Sequence, residues 1–301
     1  MLVGGVQVPP EKIDSNPLGL LPSGALITGQ LNARALFSTS LGGTTAAVVQ
    51  QVLPLGRESN FDPARDVERV YAAVYAMQGA DFCAVLQGNF DVASIARAAE
   101  NRAPTASGSQ LVRTFYGGYY IFTVANVGFV VLTPRTILSG DETGMRRALD
   151  RLRSGKITHE LERWMAELLL DPKPAFALGG AIAKQGVGLA ASEQVPFLSG
   201  VSRLRMLGNF QTPGINVVGT LDYGDADAAN RGAASLVQMR ELAALVTFLS
   251  PFGGAVPTNL DVRVNETQVS FASSLDTALV QFVLGAIGPI FRPAASGWVG
   301  R

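Results

Sequence analysis

The chain has 301 residues, with 24 basic and 24 acidic residues and a charged fraction of only 16%. A net charge of zero argues against a general nucleic-acid binder, which needs a basic surface. The single cysteine, Cys83, and the single histidine, His159, exclude an internal disulfide, a cysteine-based zinc finger and any site that needs two histidines from one chain.

The first third of the chain predicts an extended lead-in, a strand and a helix. Residues 1–23 contain Pro, Gly and Asn and lack the basic region and cleavage site of a signal peptide. Ala25–Leu31 predicts a first strand. Asp62-Pro63 is a typical helix start, and apolar residues recur at spacings of three and four from Val67 to Met77. We therefore predict a helix that ends at Gly79.

The middle of the chain predicts short strands followed by helices that begin at a carboxylate. Asp81–Gly88 is an apolar run of strand length, and Asp91 is placed to cap a small helix after it. Tyr119–Val124 and Gly128–Thr133 predict a hairpin rich in β-branched and aromatic residues. Asp141 or Glu142 then opens an amphipathic helix with arginines on its outer faces.

The second half of the chain repeats this order. Thr158 is expected to cap a linking helix, and Asp225 a long helix that continues to about Leu249. Asp276 is expected to open a last apolar helix, through Phe291. The predicted strands of this half are Phe176–Ile182, Arg203–Phe210, Ile215–Leu221, Asn259–Val264 and Gln268–Ser273.

Both halves run strand, helix, strand pair, helix, which predicts an α+β fold of two modules related by duplication. Each module would be an antiparallel sheet covered by helices. No transmembrane span is predicted, because the long uncharged stretches carry Gly, Pro or strand-like residues. The predicted divisions are an extended segment 1–23, a first module 24–155, a linking helix 156–173, a second module 174–291 and a tail 292–301.

Sequence patterns that often carry catalysis are missing. The chain contains no G-x-S-x-G and no Ser-x-x-Lys. Gly186–Ala191 fits a loose G-x-G-x-x-A, but no acidic residue follows at about twenty positions, as a dinucleotide site requires. We expect His159 in a first helical turn and Cys83 as a small hydrophobe within a strand. The sequence therefore predicts no enzyme activity, no catalytic residue and no cofactor.

Asp222, Asp225 and Asp227 form the densest acidic cluster and supply oxygen ligands of the kind that hard cations prefer. Their spacing does not match a calcium loop, and helix capping accounts for most of the cluster, so no metal is predicted. An aromatic run and a basic helix face are the candidate interaction surfaces. Their residues are Phe115, Tyr116, Tyr119, Tyr120, Arg146, Arg147, Arg151 and Arg153.

The run Ala80–Asp91, the aromatic hairpin and the run Leu138–Ala148 together resemble uncharacterised bacterial α+β domain proteins. The resemblance covers residues 80–155. Those proteins are often secreted or lipid-anchored, and no catalytic activity is attributed to them. The resemblance implies a periplasmic or cell-envelope location if the chain is a mature form; otherwise we expect it in the cytoplasm.

Three functional hypotheses remain. The leading one is a non-enzymatic interaction or scaffold component of a larger assembly, with a protein partner or self-association and no nucleic acid. It follows from high apolar content, low charge and the missing catalytic patterns. The alternative is a carrier that binds an apolar small molecule or lipid between sheet and helices, with peripheral membrane contact left open. The third is a hydrolase that uses carboxylates alone.

Overall fold

The computed structural model describes residues 8–43, 45–46, 49, 55, 57–75, 82–101, 110–124, 126–182, 196–211, 214–249 and 259–277. The strands are β1 (Ala25–Asn32), β2 (Val67–Tyr75), β3 (Phe82–Gly88), β4 (Val112–Tyr116), β5 (Tyr119–Val124), β6 (Val127–Thr133), β7 (Thr136–Asp141), β8 (Phe176–Gly180), β9 (Val201–Gln211), β10 (Gly214–Tyr223), β11 (Asn259–Asn265) and β12 (Gln268–Asp276). The helices are α1 (Pro10–Ser15), α2 (Pro17–Leu20), α3 (Ala33–Phe37), α4 (Pro63–Asp66), α5 (Val92–Glu100), α6 (Glu142–Arg153), α7 (Arg163–Leu170) and α8 (Ala226–Leu249).

The strands form one 12-stranded sheet in the order β11-β12-β10-β9-β8-β1-β2-β3-β7-β6-β5-β4, and neighbouring strands are antiparallel. The prediction of two separate modules is therefore wrong, although the chain is an α+β mixture. The reason lies in β8, which pairs with β1 on one side and with β9 on the other. Without it, β1 and β9 would each present an unpaired edge.

The hairpins and single strands expected from local pattern are confirmed at β1, β3, β5–β6 and β11–β12. The helix expected to run from Asp62 to Gly79 is wrong. Asp62 caps only the short α4, and Val67–Tyr75 forms β2, which is paired with β1 and β3. In β2 the side chains of Tyr71, Ala73 and Tyr75 are buried, whereas Val74 between them is 43% exposed. Residues four apart, such as Tyr71 and Tyr75, share a face in a strand as well as in a helix, so their spacing did not distinguish the two. Val and Tyr also suit a strand.

The sequence predicted an extended segment over residues 1–23, but within it Pro10–Ser15 and Pro17–Leu20 form α1 and α2, and residues 1–7 lie outside the described residues. Pro10 and Pro17 take the first helical positions, where the missing N–H is not needed. The apolar side chains of the segment enter the core; Ile13 and Leu20, for example, are 2% and 1% exposed. The Tyr75 hydroxyl fixes the end of the segment by donating to the Pro22 carbonyl at 2.8 Å.

Helices cover both faces of the sheet in its first half. Along β3, Val85 and Leu86 point to opposite faces. Val85 joins a core cluster with Ile13 and the α6 residue Met145, whereas Leu86 joins one with Ile95 of α5. We call β3 and β4–β7, together with α5 and α6, the β4 end of the sheet.

The β11 end consists of β9–β12 and α8. The α8 residues Ala228, Ala229 and Ala233 pack on Leu221 and Val269 of this part of the sheet. The opposite face of β10 carries polar side chains and Val218, which is 51% exposed. Within the described residues no helix is long and apolar enough to cross a membrane. The last predicted helix lies, from residue 278 onward, outside the described residues.

Candidate functional site

The strand β4 forms one edge of the sheet and pairs with β5 from Val112–Thr123 to Tyr116–Tyr119. The two residues between the strands, Gly117 and Gly118, have φ angles of +60° and +93°. These are the angles of a type I′ turn, whose twist matches that of paired strands and which glycine adopts without steric cost. The turn therefore fixes the register of the hairpin.

This register determines which backbone groups of β4 face outward. In a two-residue hairpin the residues that flank the turn exchange both hydrogen bonds, and every second residue repeats this pattern. Val112, Thr114 and Tyr116 thus direct their N–H and C=O groups to β5. Arg113 and Phe115 direct theirs away from the sheet, where an added strand would find them.

The same edge carries exposed apolar side chains. Phe115 is 62% exposed, Val112 61% and Tyr120 of β5 47%. The Phe115 and Tyr120 rings lie 5.2 Å apart, and the series continues through Phe122 to the fully buried Phe129. A rigid aromatic row therefore runs from the surface into the core on this face, and the Arg113 guanidinium lies 4.6 Å from the centre of the Tyr120 ring.

On the opposite face, part of the predicted aromatic run meets part of the predicted basic set. The Tyr116 hydroxyl donates to the Asp150 carboxylate at 2.9 Å, and the Arg146 guanidinium lies 4.5 Å from the centre of the Tyr116 ring. Arg153 forms an ion pair of 3.7 Å with Asp150. Burial and the hydrogen bond to Asp150 raise the pKa of Tyr116. Tyr119 beside it packs against the core.

The other two arginines of the set, Arg147 and Arg151, lie away from the β4 edge and contact the N-terminal segment. The Arg147 guanidinium lies 4.7 Å from the centre of the Tyr75 ring and donates to the Ser23 carbonyl at 2.9 Å. Arg151, whose side chain is 11% exposed, donates to the Gly19 carbonyl and forms an ion pair with Glu160. These two arginines hold the N-terminal segment against α6.

The three aspartates of the acidic cluster have separate surroundings. Asp222 accepts a hydrogen bond from Gln268 at 2.8 Å and lies 3.5 Å from Arg203. Asp225 caps α8 by accepting from the Ala228 N–H at 2.7 Å, as the sequence predicted, and Asp227 is exposed in the first turn. Among the described residues no group of three His, Cys, Asp or Glu side chains is arranged to hold a metal ion.

His159 and Cys83 occupy contrasting environments. His159 is exposed in the loop before α7, not in a first helical turn, because α7 begins only at Arg163, after Glu162. Cys83 lies in β3 with no exposed surface, as expected for a small hydrophobe. Burial and the nearby Asp141 raise the pKa of its thiol, which keeps it neutral and unreactive at ordinary pH.

Sequence patterns did not locate an apolar cavity that lies between α3 and the sheet. Its volume is about 170 Å³, and one of its walls is formed by β2 and β3. Lining residues include Leu36, Phe37, Val70, Ala84 and Leu86. These residues come from separate parts of the chain, so no local pattern could have indicated them.

No protein-family model and no curated protein matches this chain. Among solved structures, crystal forms I, III and IV of TP0453 are similar, with TM-scores of 0.56, 0.55 and 0.54 and sequence identities of 14%, 12% and 11%. The matches cover 90% of this chain and 97%, 98% and 96% of the TP0453 chains. At this identity the likeness concerns the fold alone.

Proposed function

We propose that the protein is a non-enzymatic interaction component that binds a protein partner along the β4 edge. The observation that carries the proposal is the exposed strand β4 itself, with outward backbone groups at Arg113 and Phe115 and a Phe115 side chain that is 62% exposed. An added strand obtains affinity from main-chain hydrogen bonds and specificity from alternate side chains. The aromatic row supplies the large, rigid contact residues that dominate binding energy at interfaces.

The resemblance to secreted and lipid-anchored bacterial proteins supports placing the assembly at the cell envelope. A low charged fraction of 16% also fits a protein that covers part of its surface with a partner. The Arg146–Tyr116–Asp150 contacts hold the hairpin on α6, so the edge is presented by a rigid element and not by a loose loop.

Site-specific photo-crosslinking in cells that express the chain tests this function. A benzophenone amino acid replaces Phe115, and the matched control replaces Val218, which is exposed to a similar degree, 51%, at the other end of the sheet. We expect a discrete crosslinked protein at position 115 and none at 218. The crosslink should disappear in Arg113→Pro, which removes an outward N–H and leaves the pairing with β5 intact. Equal crosslinking at both positions, or none at 115, contradicts the proposal.

The apolar cavity favours a second candidate function, the transport of a small apolar molecule. A cavity of about 170 Å³ lined by side chains such as Leu36 and Leu86 would hold a ligand of roughly the size of a benzene ring. Native mass spectrometry of the gently purified chain should then show a bound small molecule. Ala84→Leu, which fills the cavity floor, should remove it. A wild-type chain without added mass would eliminate this candidate.

A further inference from the structure

We propose that the partner at the β4 edge is a second copy of this chain, paired β4 to β4 in antiparallel orientation around a two-fold axis at Thr114. This inference rests on the proposed function, because it names the partner for the same edge. It gives a closed dimer with a self-complementary contact, the commonest symmetry of soluble oligomers.

The backbone of β4 fits such a pairing. With the axis at Thr114, Arg113 of one copy stands opposite Phe115 of the other, and these are the residues with outward N–H and C=O groups. Each such pair exchanges two hydrogen bonds, whereas the two Thr114 residues between them lie opposite each other without a backbone hydrogen bond. All residues of the short strand from Val112 to Tyr116 then face a residue of the partner strand.

The side chains favour this register over the one centred on Arg113. It places the Arg113 cation opposite the partner's Phe115 ring, on the face where Arg113 already lies 4.6 Å from the Tyr120 ring centre. The guanidinium would then lie among aromatic rings from both copies, an attraction between a cation and the ring faces. A register with Arg113 at the axis would instead oppose two like charges directly across the strands, which is destabilising. The avoidance of like charges therefore favours the axis at Thr114 over an axis at Arg113.

The opposite edge of the sheet shows why β4 and not β11 is the pairing edge. The strand β11 exposes Val264 by 41%, but its other exposed residues are Asn259, Asp261, Arg263 and Asn265, and Arg263 forms an ion pair of 2.7 Å with Asp261. Charged and strongly solvated side chains are a common protection of sheet edges against pairing. The exposed residues of β4 include the apolar Val112 and Phe115, and Arg113 is the single permanently charged residue of this strand.

Two substitutions at one position test the register by sedimentation equilibrium of the purified full chain. Phe115→Arg places a second guanidinium opposite the partner's Arg113, and Phe115→Glu places opposite charges there. We expect a concentration-dependent monomer–dimer equilibrium for the wild type, a dissociation constant at least about tenfold higher for Phe115→Arg, and dimers retained by Phe115→Glu. Both variants lose the same aromatic ring, so only the sign of the new charge differs. Circular dichroism checks that both are folded.

The outcomes separate this inference from the proposed function. If Phe115→Glu dissociates as strongly as Phe115→Arg, or Phe115→Arg remains as dimeric as the wild type, the self-pairing is wrong. If the wild type is monomeric throughout while position 115 crosslinks a different protein, the self-pairing is wrong and the binding function stands. If position 115 crosslinks nothing, both are wrong. A crosslink between two copies, with the charge pattern above, supports both.

Discussion

The two ends of the sheet differ in how their faces and their edges are protected. At the β4 end both faces of β3 are buried under helices, and the edge strand exposes Val112 and Phe115. At the β11 end α8 covers one face, the other exposes Val218 among polar side chains, and the edge strand carries the Asp261–Arg263 ion pair. The end whose sheet is covered by helices on both faces thus has the more apolar edge.

This difference indicates a division of roles. The β4 end obtains its stability from two covered faces, so the chemistry of its edge is free to serve binding. The β11 end, with one solvated face, is the usual form of an antiparallel sheet and keeps a polar edge that discourages association. If this division is correct, equivalent changes at the two ends should have unequal consequences.

The largest difference between the two ends should be the loss of stability when the aspartates that cap α6 and α8 are replaced. Asp141 is 5% exposed; its Oδ1 accepts from the Gly144 N–H at 2.8 Å and its Oδ2 from the Phe82 N–H at 2.6 Å. Asp225 is exposed and accepts from Ala228. Asp141→Ala should lower the free energy of unfolding by about 2–4 kcal/mol, since it removes a cap and a buried acceptor. Asp225→Ala should cost about 1 kcal/mol.

Urea unfolding followed by far-ultraviolet circular dichroism measures both costs. Asp141→Asn serves as the control, because asparagine is also a good cap and should restore part of the loss. Equal costs for Asp141→Ala and Asp225→Ala would mean that the two ends do not differ in burial at their helix starts.

A second difference between the two ends is how strongly each makes the stability of the fold depend on pH. Burial raises the pKa of the Cys83 thiol at the β4 end, and burial raises the pKa of Tyr223 at the β11 end to about 12. In the unfolded chain Cys83 ionises above about pH 8.5 and Tyr223 above about pH 10, whereas the folded chain keeps both protons. Ionisation therefore lowers the free energy of the unfolded state as pH rises, and the stability of the folded chain falls first through Cys83.

We expect ionisation of the Cys83 thiol in the unfolded chain to lower the free energy of unfolding by about 2 kcal/mol between pH 8 and pH 10. Urea unfolding at both pH values should show a smaller decrease for Cys83→Ala than for the wild type. Tyr223→Phe should leave the decrease over this range nearly unchanged. The same decrease in Cys83→Ala and wild type would show that the thiol is not protected from ionisation by folding.

Local features of the fold followed from the sequence, because each depends on neighbouring residues. The caps at Asp91 and Asp225 were predicted from a carboxylate before an apolar helical pattern, and both accept a backbone N–H in the structure. For α6 the sequence left Asp141 and Glu142 as alternatives, and Asp141 is the cap. The helix predicted over Val67–Tyr75 was wrong, because residues four apart, such as the buried Tyr71 and Tyr75, share a face in a strand as well as in a helix. Its pairing with β1 and β3 is a long-range property that no local pattern contains.

Part of the candidate site could be predicted from the sequence for the same reason. Sequence reasoning selected the aromatic run and the arginines of α6, but treated the arginines as one surface. Adjacent helical residues point about 100° apart, so Arg146 reaches Tyr116 while Arg147 reaches Tyr75. That β4 lies at an edge depends on β7 pairing with β3 ahead of β6, β5 and β4, an order set by the whole sheet.

The smallest expected effect, and the most direct test of the two edges, is in amide hydrogen exchange. At low concentration the outward N–H groups of Arg113 and Phe115 should exchange about tenfold faster than that of Thr114, because only Thr114 is bonded to β5. The β11–β12 hairpin also has a two-residue turn, so Val262 and Val264 are outward at the other edge.

Residue-resolved exchange by NMR at increasing protein concentration then compares the edges within one sample. Self-pairing through β4 should slow the exchange of Arg113 and Phe115 as dimers form, since each N–H gains an acceptor in the second copy. Val262 and Val264 should exchange at the same rate at every concentration, because the charged β11 edge stays solvated. Equal slowing at both edges would show that association does not distinguish them, and that the polar side chains of β11 give it no protection.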